Sequence, residues 1–149
     1  MLEKYESLCE QRQARIISRD LGNRREHRAE NREGCVVRQY RIDGTIIKGT
    51  DTKKCDYLLF NEDKHTAYLI ELKGKHIHDA IKQLEETEEQ LQEDLKGYQK
   101  LFRIVYRSNT HAIRSKEYTE FCKRKKGAVG GVQRMVLRSK TDAMRSRAD

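Results

Sequence analysis

The chain has 149 residues, of which 36% are hydrophobic and 38% are charged, and its formal net charge is +8. This length provides for one compact core, and no apolar run reaches the roughly 20 residues that a membrane span requires. The polar N-terminus lacks the apolar segment of a signal peptide. Four widely spaced cysteines without a CxxC pair argue against a zinc ribbon or a thioredoxin-like site. We therefore expect a cytoplasmic protein with reduced thiols and no membrane partner, forming a single domain over residues 1–149.

The positive charge is concentrated at the C-terminal end of the chain. Residues 102–149 contain 13 basic and 4 acidic side chains, whereas residues 76–101 contain 3 basic and 7 acidic ones. A basic segment of this kind favours a polyanionic partner, and nucleic acid is the commonest such partner.

The N-terminal part is expected to contain one helix and one polar arm. Apolar residues recur at helical spacing over 2–17. Residues 18–34 are almost wholly polar, which predicts either a mobile basic arm or a solvated basic helix. The folded core is then expected over about residues 35–138, with a polar tail at 139–149.

Short apolar runs separated by turn residues predict a meander of strands in the middle of the chain. Asp43-Gly44 is a hairpin signal between the first two runs. Strands are predicted over 35–43, 44–49, 55–60 and 66–74.

The second half is expected to alternate helices with strands. The apolar period changes after residue 76 and predicts a helix over 77–100 with an acidic outer face. Residues 102–107 predict a strand, parallel to the preceding one because a helix connects the two. A short helix over 116–124 and a last strand over 131–138 follow. The fold class is therefore α/β, a single domain with a mixed central β-sheet flanked by helices.

Two neighbouring strands carry the residues that predict chemistry. Because side chains alternate along a strand, Glu71 and Lys73 project from the same face. Asp56 lies at the start of the preceding strand, and antiparallel pairing through the short turn at 61–65 places it within one step of Glu71. The bland alternative is a surface ion pair between Glu71 and Lys73 on an edge strand.

Two carboxylates and a lysine form a minimal set for hydrolysis of a phosphodiester. Carboxylate oxygens bind Mg²⁺ or Mn²⁺, and the cation lowers the pKa of a bound water. A neighbouring lysine can orient that water or stabilise the charge that develops.

The residues Asp56 and Glu71-Leu72-Lys73 resemble the motif of the PD-(D/E)XK nuclease superfamily, which includes restriction endonucleases and Holliday-junction resolvases. The resemblance covers about residues 35–107 and implies a restriction-endonuclease-like core with Mg²⁺-dependent endonuclease activity. It implies that Asp56, Glu71 and the carbonyl of Leu72 bind the metal and that Lys73 is catalytic. Cys55 stands where the family often has proline.

The resemblance also implies auxiliary site residues. Many members of the superfamily supply a further acid from an N-terminal helix, and some carry a polar residue in the long helix. The candidates for these roles here are Glu10, Glu26, Glu30, Asp43 and Gln83.

Basic clusters near these elements predict contacts with nucleic acid, with DNA favoured over RNA. The candidates are Arg24, Arg25, Arg28, Lys53, Lys54, Lys123 and Arg124. Because one site cuts one strand, a homodimer is expected. Two alternatives stay open: a non-catalytic nucleic-acid-binding module on the same fold, and a regulatory protein whose acidic helix and basic tail engage a protein partner.

Overall fold

The computed structural model describes residues 1–20, 25–49, 55–72, 76–105, 115–130 and 134–139. A short 3-10 turn at Leu2–Lys4 precedes the first strand. The strands are β1 (Arg15–Arg19), β2 (Glu26–Glu30), β3 (Val37–Arg41), β4 (Tyr57–Asn61), β5 (Thr66–Glu71), β6 (Gln99–Ile104), β7 (Val129–Gly130) and β8 (Arg134–Val136), and the helices are α1 (Ile77–Gln90) and α2 (Lys116–Arg124).

A five-stranded mixed sheet in the order β3-β4-β5-β6-β7 forms the centre of the fold. β3, β4 and β5 pair antiparallel, whereas β6 runs parallel to β5, as the intervening helix predicts. Every residue of β4 and β5 is buried, because both faces of these strands are covered. The α/β class with a mixed sheet is confirmed.

Helices α1 and α2 cover one face of the large sheet. Ala80, Ile81 and Leu84 of α1 and Phe121 of α2 pack on a core that includes Leu69 of β5. The short helix over 116–124 is confirmed at its predicted bounds. No helix in the described ranges is long and apolar enough to cross a membrane.

Helix α1 ends at Gln90, ten residues before the predicted end. The apolar spacing continues because hydrogen-bonded turns follow the helix, with the Leu95 amide donating to the Leu91 carbonyl at 2.9 Å. Both leucines are fully buried in the same core as the helix. Gly97, at a φ of 87°, then reverses the chain into β6.

A three-stranded sheet in the order β1-β2-β8 covers the opposite face of the large sheet. Ile16 of β1, Ala29 of β2 and Leu137 beyond β8 pack against Leu59 and Ile70 of the large sheet.

The predicted helix over 2–17 and the predicted arm over 18–34 are therefore wrong where the structure describes them. β1 and β2 each bury alternate residues, in the patterns eBiBe and iBiBi, where B is buried, i is half-buried and e is exposed. His27 faces inward from β2 and is fully buried. The charged residues between the buried ones stand on the outer face of this sheet, which explains why the segment appears polar in sequence.

Two smaller predictions need correction. Residues 44–49 do not form a strand: they make turns closed by an isolated bridge between Asp43 and Ile47. Ile46 and Ile47 are both buried. In a strand with one face in solvent, one of two neighbouring side chains would be exposed, because successive side chains point to opposite faces. The last strand, predicted over 131–138, ends at Val136: β8 covers Arg134–Val136 and pairs in parallel with β2, while residues 131–133 lie outside the described part of the chain.

Candidate metal centre at the ends of the central strands

The pairing of β4 with β5 brings the two predicted carboxylates to the same edge of the sheet. Tyr57 and Ile70 form the last pair of the β4–β5 ladder, and Asp56 and Glu71 are the next residues along the two chain segments. Leu58 and Leu69, which alternate with these acids, belong to the core beneath the helices. Asp56 and Glu71 therefore lie on the helix-covered face, as the alternation of the strands predicts.

Backbone contacts fix Asp56 in place. The Leu72 amide donates to Asp56 Oδ2 at 2.8 Å. The Asp56 amide donates to the Ile70 carbonyl at 3.1 Å, and the Asp56 carbonyl accepts from the Ile42 amide at 2.9 Å. Asp56 is half-buried, so its carboxylate is oriented by the protein and still reachable from outside.

Glu71 occupies a different environment from that of a surface residue. Its side chain is fully buried, and its carbonyl accepts from the Val105 amide at 2.9 Å. β5 is the central strand of the five, with β4 and β6 on its two sides. A surface ion pair on an edge strand therefore does not describe Glu71.

The negative charges of both carboxylates affect the pKa of the Cys55 thiol. Burial raises the pKa of Cys55, and the negative charges of Glu71 and Asp56 raise it further. The Cys55 amide donates to Thr87 Oγ1 of α1 at 2.8 Å, and that hydroxyl donates to the Gln83 carbonyl at 2.7 Å. This chain of contacts fastens the start of β4 to the helix.

The Leu72 carbonyl, predicted as a third metal ligand, is in contact with a cationic side chain. Arg25 Nη1, from the residue before β2, donates to this oxygen at 3.3 Å. Leu72 therefore accepts a hydrogen bond from Arg25 at its carbonyl oxygen and donates one from its amide to Asp56.

The donor set fits a hard divalent cation. Two carboxylates and one main-chain carbonyl offer only oxygen, which Mg²⁺ and Mn²⁺ prefer. Within the described residues there is no group of three or more histidine, cysteine, aspartate or glutamate side chains that could hold a metal. Asp56 and Glu71 would therefore bind a cation together with main-chain oxygen and water rather than in a closed cage.

The auxiliary candidates lie in different places. Asp43 follows Ile42, the residue bonded to the Asp56 carbonyl, and Gln83 is linked to Cys55 through Thr87. Both links run through main-chain atoms, the Ile42 amide and the Gln83 carbonyl.

The acids of the N-terminal segment are not on a helix. Glu30 lies on the outer face of the small sheet, with Arg15 Nε 3.4 Å from its carboxylate. The Glu30 carbonyl accepts a hydrogen bond from the Leu137 amide. The next residue, Arg138, accepts at its carbonyl from the Asn61 side chain, which lies at the opposite end of β4 from Asp56. Glu26 pairs with Arg19 and Arg28 on that same outer face. Glu10 is exposed. The structure does not bring Glu30 to the carboxylate pair.

Several of the predicted cations fall outside the described residues, namely Arg24, Lys53, Lys54 and the catalytic candidate Lys73. Arg28 lies on the outer face of β2, 3.7 Å from Glu26. Lys123 and Arg124 form the last turn of α2 and are exposed. Among the described basic candidates, Arg25 contacts the candidate centre, through the Leu72 carbonyl.

The acidic face of α1 makes ion pairs within the same chain. Arg124 Nη2 lies 2.9 Å from Glu85, and Lys125 Nζ lies 2.8 Å from Glu88. The sequence predicts that this face meets either water or a basic patch on another subunit. Two of its acids pair with basic residues of the same chain, in α2 and directly after it.

Sequence reasoning did not identify the part that Thr87 plays. It appears in the sequence as one position of the apolar stripe of α1, and it is buried like the others. Its hydroxyl nevertheless anchors the residue next to Asp56. A hydroxyl residue in an otherwise apolar stripe was the available signal, because a buried hydroxyl needs a hydrogen-bond partner.

One family model matches the chain, and it covers residues 13–128. It describes the N terminus of the type I restriction enzyme R protein. Searches of curated proteins and of solved structures found no significant match.

Proposed function

The chain belongs to the family of type I restriction enzyme R protein N-termini, and from this premise we propose that it is a divalent-metal-dependent endonuclease of the PD-(D/E)XK type acting on DNA. Family membership links it to restriction-related DNA function. The proposal adds a requirement for a divalent cation, roles for Asp56, Glu71 and Lys73, and hydrolysis of a phosphodiester.

One observation carries the proposal: Asp56 and Glu71 both directly adjoin the last pair of the β4–β5 ladder, Tyr57 with Ile70. Glu71 is fully buried at this position. Burial of a carboxylate costs free energy, and a bound cation offsets that cost. A purely structural pair of acids facing each other would instead repel.

Each residue has a definite task in this proposal. Asp56, oriented by the Leu72 amide, and Glu71 would hold Mg²⁺ or Mn²⁺, with the Leu72 carbonyl as a further ligand. The bound cation would lower the pKa of a water and neutralise charge on the phosphodiester. Lys73 would hold the attacking water or the developing negative charge. Asp43 and Gln83 would complete the polar surroundings.

The proposal extends to the substrate and the assembly. DNA is the expected substrate, because the matched family belongs to a restriction enzyme. A homodimer would let two sites cut the two strands of a duplex. Light scattering at rising protein concentration tests the dimer independently of the chemistry.

The decisive experiment is cleavage of labelled DNA and RNA in Mg²⁺, in Mn²⁺ and in EDTA. Glu71→Gln and Lys73→Ala should each abolish cleavage that depends on the divalent cation. Asp63→Asn and Lys64→Ala serve as matched controls, because these residues lie in the β4–β5 turn at the other end of the same hairpin. Both controls should cleave at the wild-type rate.

Three outcomes would contradict the proposal in different ways. Salt-sensitive DNA binding without cleavage, unchanged by Glu71→Gln, would favour the non-catalytic binding module. Absence of both binding and cleavage would direct the search to a protein partner. Cleavage that persists in EDTA would remove the metal from the mechanism.

A further inference from the structure

Arg25 is placed at the candidate centre by the small sheet. It immediately precedes β2, whose inner face packs on the large sheet. Tyr57, the residue after Asp56, donates its hydroxyl to the Arg19 carbonyl at the end of β1, at 2.8 Å. The end of β1 and the start of β2 are therefore held at the same edge of the molecule as the carboxylate pair.

The Arg25 guanidinium contacts the one oxygen that the centre offers from its main chain. Nη1 donates to the Leu72 carbonyl at 3.3 Å, while the Leu72 amide binds Asp56. A guanidinium cation and a divalent cation on one carbonyl oxygen would repel each other strongly. Binding of a metal at this oxygen therefore requires that Arg25 move away from it.

We propose that Arg25 is a phosphate-binding residue that rests on the Leu72 carbonyl and moves to a DNA phosphate when a divalent cation takes that oxygen. This inference rests on the proposed function and adds to it a residue and a sequence of events. The side chain is half-buried, so it lies at the surface where a phosphate approaches. A planar guanidinium suits this exchange because its several donors fit either a carbonyl or a phosphate oxygen.

The first measurement is the affinity for Mn²⁺ in the absence of DNA. The concentration of free Mn²⁺ is measured by electron paramagnetic resonance. Arg25→Ala removes the competing cation, so Mn²⁺ should bind about fivefold tighter than to the wild type. A residue with a merely structural role would weaken the metal site or leave it unchanged when removed. Arg25→Lys retains a cation and should stay near the wild-type affinity.

The second measurement is the affinity for a labelled DNA duplex in Ca²⁺, by fluorescence anisotropy over a range of salt concentrations. Arg25→Ala should bind DNA about tenfold more weakly, and the slope of log affinity against log salt should become shallower by about 1. The same variant should thus gain affinity for the metal and lose affinity for DNA.

Arg12→Ala is the matched control. Arg12 Nη1 also donates to a carbonyl oxygen, that of Gly34, at 2.6 Å. Gly34 lies shortly before β3, whose first residue pairs with Asn61 at the other end of β4 from Asp56. This variant loses an equivalent contact and should change neither measurement. Thermal unfolding of both alanine variants checks that they fold.

The outcomes separate this inference from the proposed function. If the wild type binds Mn²⁺ in a manner that Glu71→Gln abolishes, and Arg25→Ala has no effect on Mn²⁺ or DNA binding, the role of Arg25 is wrong and the metal centre stands. If Glu71→Gln leaves Mn²⁺ binding intact, the centre itself is wrong and this inference is wrong with it. Opposite shifts in metal and DNA affinity for Arg25→Ala would support both.

Discussion

Acidification from pH 7 to pH 4.5 is expected to remove about 2.5 kcal/mol of folding stability through one residue, His27. His27 is fully buried on β2, and neither ring nitrogen has a hydrogen-bond partner among the described residues. Burial, with a smaller contribution from the positive charge of Arg103, lowers the pKa of His27 from 6.5 to about 4. The buried ring therefore favours its neutral form.

The sign of the effect follows from the difference between the folded and unfolded states. Between pH 6.5 and pH 4 His27 is mostly protonated in the unfolded chain and mostly neutral in the folded protein. Stability therefore falls as the pH drops through this window, and the loss is complete below the folded-state pKa. The full difference corresponds to about 3.5 kcal/mol, since each pKa unit is worth about 1.4 kcal/mol.

The assay is urea unfolding at several pH values for the wild type and for His27→Leu. The variant cannot titrate at this position, and it should lose about 2.5 kcal/mol less than the wild type between pH 7 and pH 4.5. At pH 7 it should be as stable as the wild type or more so, because it buries no polar nitrogen. Equal acid losses in the two proteins would refute the reasoning, as would an NMR titration of His27 with a midpoint near 6.5.

Two further predictions concern stability. Thr87→Val should lower the free energy of unfolding in urea by about 1–3 kcal/mol, because the buried Cys55 amide loses its acceptor. Thr87→Ser keeps the hydroxyl and should retain most of the stability. Equal losses for both variants would contradict this. Gly97→Ala should cost about 1–2 kcal/mol, because the backbone there has a φ of 87°. An unchanged melting temperature for Gly97→Ala would show that the turn relaxes to another conformation.

The sequence predicted the large sheet and its edge well because its signals are local. β4 and β5 are short apolar runs joined by a turn, and their length and alternation sufficed to predict the antiparallel register to within one residue of the observed pair Tyr57 with Ile70. Helix α2 was placed at its bounds by its apolar spacing, and Ser115 caps it by accepting from the Tyr118 amide.

The small sheet could not be predicted in the same way because its signal is not local. β2 buries only His27 and Ala29, neither of which marks a strand, and its remaining residues are charged. Its strand character depends on pairing with β1 and with the distant β8, and on a face of the large sheet that covers it. The contact of Arg25 with the Leu72 carbonyl follows from this packing, so it too was beyond the reach of sequence patterns.

The parallel pairing of β2 with β8 bears on the order in which the molecule assembles. Ala29 pairs with Met135, about a hundred residues further along the chain, whereas β3, β4 and β5 come from one contiguous stretch. On a ribosome the meander that carries Asp56 and Glu71 can form early, while the small sheet lacks its third strand until β8 emerges. Closing so long a loop is slow. The growing chain therefore completes its acidic edge before the opposite side of those strands is sealed from water.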